Sequence, residues 1–92
     1  MQQARYIAQD NPDAADRFLD ACEHTLEALA ELPDVGAPRQ FDNPALQGIR
    51  MWCVKGFEKH LVFYRRVEDG VDIVRILHAA RDIQRIMKEE SV

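Results

Sequence analysis

Between Arg50 and Arg81 the chain carries Arg50, Lys55, Lys59, Arg65, Arg75 and Arg81 together with two histidines, His60 and His78. Those side chains include the ingredients of metal-free RNA cleavage. That reaction needs a base for the 2′-hydroxyl proton, cations for the phosphorane charge and an acid for the leaving oxygen. The arginines and lysines supply charge, and His78 or His60 a proton. Nothing in their spacing fixes a mutual geometry, however, and basic side chains on exposed strands are commonplace. The plainer reading gives each a structural or binding role. His78, at the end of a strand pattern, orders the turn into a helix. Arg81 and Asp82 pair locally or start that helix, and Tyr64 belongs to the core. Trp52 suits a partner-facing position. Read as a surface, Arg50, Trp52, Lys59, Arg65, Arg75, His78 and Arg81 are the candidates for contacting a target or an inhibitor.

Metal and cofactor chemistry find no support. His24, His60 and His78 fall on different elements with no cysteine near them, so no metal-ligand spacing arises. Phosphate-binding loops and nucleophile elbows are absent, and no cofactor is expected. Cys22 and Cys53 stand inside a helix pattern and a strand pattern, away from CxxC spacing, and read as buried reduced thiols.

Ninety-two residues with 47% hydrophobic and 30% charged side chains suit one globular domain, residues 1–92. No apolar run approaches the ~20 residues that span a bilayer. The start, Met1-Gln-Gln-Ala-Arg-Tyr-Ile, has no apolar signal-peptide core, so the cytoplasm is the expected compartment. The net charge of −4 is unevenly spread. Residues 1–46 hold three basic against nine acidic side chains, and residues 47–92 nine against seven. A generally basic nucleic-acid binder is disfavoured, while a local basic face is compatible with these numbers.

The positioning elements follow from periodicity. Residues 2–10 read as a short helix with Tyr6 and Ile7 inward. Asn11 and Pro12 supply a cap and a first-turn residue for a second helix, with Asp13 and Asp16 near its positive end. Phe18, Cys22, Leu26 and Leu29 then form an apolar stripe that Leu19 and Leu32 widen. Asp20, Glu23, Glu27 and Glu31 form a solvated face. Pro33 and Gly36 end the helix, and residues 33–48 read as a long connection. Thereafter the pattern alternates: Ile49, Met51 and Cys53 against Arg50, Trp52 and Val54, then Leu61 and Phe63 against Val62 and Tyr64. Gly56 marks one turn and Glu68-Asp69-Gly70 a hairpin of the Asp-Gly kind. Val71, Ile73 and Leu77 oppose Val74 and Ile76. Strands apolar on both faces need cover on both, from the helices on one side and from a helix over residues 81–89, or a partner, on the other. The expected fold is α+β: an N-terminal helical hairpin on a small antiparallel sheet of about three strands, then a C-terminal helix.

In that framework stand Tyr6-Ile-Ala-Gln-Asp-Asn-Pro-Asp-Ala-Ala15, Leu46-Gln-Gly-Ile-Arg50, Leu61-Val-Phe-Tyr-Arg65 and Ile76-Leu-His-Ala-Ala-Arg-Asp82. These words, in this order, resemble the RelE/ParE toxin superfamily over nearly the whole chain, and the ParE, or plasmid-stabilisation, branch more closely. The resemblance implies the toxin of a type II toxin–antitoxin pair, neutralised by a cognate antitoxin whose C-terminal segment wraps it. ParE-like members inhibit DNA gyrase without being enzymes, and RelE-like members cut mRNA on the ribosome. A RelE-like reading would make His78, Arg81 and Arg65 catalytic, but those nucleases carry a C-terminal tyrosine, and the tail after His78 has none. An antitoxin helix or strand would lie over apolar surface near Trp52, Val62 and Val74. The sequence departs from the family pattern twice. Cys53 stands where close relatives are expected to have proline, and Met1 comes only five residues before Tyr6, where a β-strand and more of the first helix are usual. A sheet without that strand keeps an unpaired edge, which favours homo- or hetero-oligomers, edge pairing with a partner, or a non-toxic remnant that still binds antitoxin.

Overall fold

A 20-residue helix, α1, runs Pro12–Glu31, and its buried positions Ala15, Phe18, Cys22, Thr25 and Leu29 recur at steps of three and four. That spacing puts them on one face, the one laid against the sheet. The computed structural model describes residues 12–90; the expected helix over 2–10 and the Asn11 cap lie outside them. Leu19 and Leu32 do not widen the stripe. They are 44% and 63% exposed, because Leu19 falls on the side of the helix turned from the sheet and Leu32 follows the last helical residue. Thr25, the one polar residue in the stripe, is satisfied twice over. Its hydroxyl donates to Ala21 O at 2.7 Å and accepts from Lys55 N at 3.2 Å, tying α1 to the first hairpin turn.

Four antiparallel strands follow in spatial order: β1 Ala37–Pro38, β2 Arg50–Val54, β3 Phe57–Val67 and β4 Gly70–His78. The expected count was about three. The extra strand comes from the 33–48 connection, which folds back so that Ala37 pairs with Met51 and Pro38 with Arg50. Proline fits there because β1 is an edge strand. Gly56 takes φ +82° in the turn between β2 and β3. In the β3–β4 turn, Val67 already pairs with Gly70, so Glu68 and Asp69 make the loop and Gly70, at φ +150°, opens the strand.

The sheet is buried on both faces. Under α1, Phe18, Cys22, Leu29, Val54, Val62 and Tyr64 form one core, joined by Phe57, Val71, Ile73 and Ile76. On the opposite face Leu46, Ile49, Phe63, Leu77 and Met87 form a second, joined by Phe41, Met51, Leu61, Val74, Ile83 and Ile86. The cover on that side is the expected C-terminal helix, α2, at Ile83–Lys88, helped by a 3₁₀ turn at Pro44–Leu46. Asp82 caps α2 by accepting from Arg85 N. Asn43 closes its other end, its side-chain amide donating to Met87 O, Lys88 O and Glu90 O at 2.9, 3.2 and 2.7 Å.

Strict alternation fails at one place in β4. Phe63 pairs with Arg75 but Tyr64 with Ile73, so Val74 is the extra residue of a β-bulge. Leu77 therefore shares a face with Val74, and Ile76 with Val71 and Ile73, correcting the grouping that simple alternation gives. Val62 is not available to a partner, whereas Val74 keeps part of its surface exposed. Val62 is wholly buried under α1, and Val74 packs into the second core.

Candidate functional site

The hypothetical catalytic set is not assembled. Arg65 pairs across the ladder with Asp72, its Nε 3.6 Å from the carboxylate, and its Nη1 donates to Ala45 O at 3.1 Å. It lies on the α2 face. His78 lies on the α1 face, beside His60, its cross-strand partner. Five positions of β3 separate His60 from Arg65, about 16 Å at roughly 3.3 Å per residue. His78 also has its Nδ1 committed: it accepts Ala80 N–H at 2.9 Å, ordering the turn into α2 as its position suggested. That bond fixes the proton of the neutral ring on Nε2.

His60 sits in an aromatic corner. Its ring lies 4.7 Å from Phe18 and 5.0 Å, nearly perpendicular, from His78. Burial, and then the neighbouring His78, hold its pKa below the ordinary histidine value.

The other basic candidates are also mostly engaged within the chain. Arg50 donates from Nη1 to Gly36 O at 2.7 Å and Asp34 O at 3.1 Å, clamping the chain where it leaves α1. Arg66 meets the Asp34 carboxylate at 3.1 Å. Arg75 Nε donates to Glu90 Oε2 at 2.6 Å, holding the segment after α2 against the sheet. Tyr64, wholly buried, supports the same exit loop, its hydroxyl donating to Pro33 O at 2.8 Å and accepting from Gly36 N at 2.9 Å. Trp52, Lys59 and Arg81 remain: Trp52 is 39% exposed, and Lys59 and Arg81 are exposed with no side-chain hydrogen bond or ion pair among the described residues. Cys22 is buried, which pushes its thiol up. Cys53 is only half-buried, contrary to the expectation of two buried thiols, because its side of β2 is incompletely covered.

One cation that sequence reasoning passed over stands out. Arg39 follows β1, and its backbone N–H extends the ladder to Ile49 O. Its guanidinium lies 5.3 Å over the Phe41 ring and 5.9 Å from that of Phe63. The signal available in the sequence was the Arg-x-Phe spacing after Pro38. No group of three or more potential metal ligands occurs among the described residues, and no helix among them is long and apolar enough to cross a membrane.

The profile of the ParE toxin of type II toxin–antitoxin system, parDE, matches residues 2–83. The chain belongs to the ParE toxin family. No curated protein and no solved structure gives a significant match. As a ParE-family member the chain is a type II toxin whose family implies a cognate antitoxin partner. Its α1, antiparallel sheet and short α2 are consistent with a ParE-like fold.

Proposed function

We propose that this ParE-family toxin acts by binding rather than by cutting, with DNA gyrase as its target and an antitoxin as its inhibitor. The observation that carries the first part is the placement of Arg65 and His78 on opposite faces, with Arg65 about 16 Å along β3, at the ~3.3 Å strand rise, from His60, the residue paired with His78. A ribonuclease built on His78, Arg81 and Arg65 would need them around one phosphate. Gyrase as the target rests on the family likeness. The cytoplasm is where that target and a partner antitoxin would be met.

Of the candidate contacts, Trp52, Lys59 and Arg81 are the ones with groups to spare. Arg50, Arg65, Arg75 and His78 would serve a partner only indirectly, by shaping the surface. Purified toxin titrated into a supercoiling reaction should leave relaxed or cleaved DNA; full supercoiling at micromolar excess refutes the gyrase assignment. The same preparation should leave mRNA intact in a translation extract. Cleavage that disappears in His78→Ala and Arg81→Ala would establish the ribonuclease instead.

A further inference from the structure

On the α2 face, Arg39, Gln40, Phe41, Asn43, Gln47 and Gly48 line a pocket of about 420 Å³. Three properties of Arg39 make this more than a surface cleft. The residue is half-buried, and its guanidinium carbon lies 5.3 Å from the centre of the Phe41 ring and 5.9 Å from that of Phe63. Its Nη1 has only the thioether of Met51, at 3.1 Å, as acceptor, and methionine sulfur is a weak one. No carboxylate lies within ion-pair distance among the described residues, whereas Arg50, Arg65, Arg66, Arg75 and Arg85 each have one. A partly desolvated guanidinium without a counter-ion gains more from an added anion than an exposed cation does.

The occupant follows from the charge present. Arg39 is the pocket's lone cation, with Asp42 close in sequence, so a dianionic phosphate would be under-compensated. A monoanionic, planar carboxylate matches the guanidinium fork. Gln40 and Gln47 have side-chain amides to donate alongside it, and Phe41 offers an apolar wall for the carbon stem of the ligand.

We infer that this pocket receives one carboxylate-bearing side chain, glutamate or aspartate, from a protein that docks on the α2 face. Naming that protein as the antitoxin rests on the reading above; the pocket's chemistry does not. The probe is N-acetyl-Ala-Glu-Ala-amide, titrated into the full 92-residue chain while the Arg39 Nε–H and Phe41 ring resonances are followed by NMR. Both should shift and saturate, and the glutamine analogue should bind at least about ten-fold more weakly. Arg39→Lys keeps the charge but loses the fork, and should weaken the glutamate peptide several-fold with the remaining amide spectrum unchanged. Inorganic phosphate should bind no more tightly than the peptide.

Equal response to the glutamate and glutamine peptides, tighter binding of phosphate, or undiminished binding by Arg39→Lys overturns the inference. The antitoxin reading is checked separately by co-purification with the protein encoded beside this chain. A toxin that holds that protein but ignores the peptide loses the pocket alone. One that binds the peptide but not that protein keeps the pocket and loses the named partner.

Discussion

Gly36→Ala should be the most damaging single-methyl change in this chain, and the reason is space rather than backbone conformation. A Cβ at Gly36 would stand 2.5 Å from Tyr64 Oη, 2.8 Å from Tyr64 Cε1 and 2.9 Å from Met51 O. Tyr64 cannot swing away, since it is wholly buried, and Met51 O belongs to the β2 backbone. The loop must therefore move, and with it go the bonds from Gly36 N to Tyr64 Oη at 2.9 Å and from Arg50 to Gly36 O at 2.7 Å. Overpacking costs about 1–3 kcal/mol, and a buried donor left unpaired about 1–3 kcal/mol more. A total near ~3 kcal/mol should lower Tm by roughly 12–24 °C in a domain of this size. The control is Gly48→Ala. There the φ of +80° opposes alanine, but no atom lies within 4 Å of the new Cβ, so its cost should stay near ~1 kcal/mol. Tyr64→Phe removes the closest clash while stranding Pro33 O and Gly36 N, so the double variant should be less destabilised than the two singles added together. Urea and thermal unfolding of the four proteins measure this. A Gly36→Ala stability within about 0.5 kcal/mol of wild type, or strict additivity in the cycle, would refute the steric account.

Asn43→Ala removes the side chain that holds Met87 O, Lys88 O and Glu90 O; it should cost about 1–2 kcal/mol, with amide exchange accelerating in α2 before α1. His60 is held below its ordinary pKa, so the unfolded chain binds protons more readily than the folded one. Its contribution is complete above the unfolded value of about 6.5 and is lost as pH falls through the lower folded value. His60→Phe should flatten the corresponding part of a stability-against-pH curve; an unchanged slope there would count against the corner formed by Phe18 and His78. Cys53, half-buried, should react with a maleimide in the folded protein while Cys22, buried and with its thiol pushed up, waits for unfolding. Equal labelling rates, read by mass spectrometry, would contradict that burial.

What could be read in advance was whatever depends on a short repeat. The α1 stripe through Phe18, Cys22 and Leu29, the three main strands, Gly56 in its turn and the helix after Asp82 all announce themselves within a few residues. Leu19 and Leu32 misled because a hydrophobic residue beside a stripe looks the same whether it is covered or not. The 33–48 segment was opaque for a different reason: its structure is set by distant partners. Ala37 and Pro38 become a strand only because Met51 and Arg50 are there to pair with, and Asn43 matters only once α2 has arrived at its amide. The basic candidates were found as types but not as roles, since an arginine's partner is fixed by the fold. Arg39, with little local signal, ended half-buried with no carboxylate partner among the described residues.

The bulge at Val74 decides how the basic face is built. In an unbroken ladder continuing from Tyr64–Ile73, Phe63 would oppose Val74 and Val62 would oppose Arg75. That register would drive a guanidinium into the core under α1, next to a valine with no exposed surface, where an unpaired charge is costly. The extra residue moves Arg75 opposite Phe63, on the α2 face, within 2.6 Å of Glu90. It also restores Ile76 to the α1 core and brings His78 beside His60. One inserted position thus settles three things together: why no guanidinium enters the α1 core, why the two histidines meet, and how the segment after α2 is pinned by charge. It follows that β4 cannot be read as a simple alternating strand by either face, and that substitutions at Val74 should act on Arg75 and His78 before they act on packing.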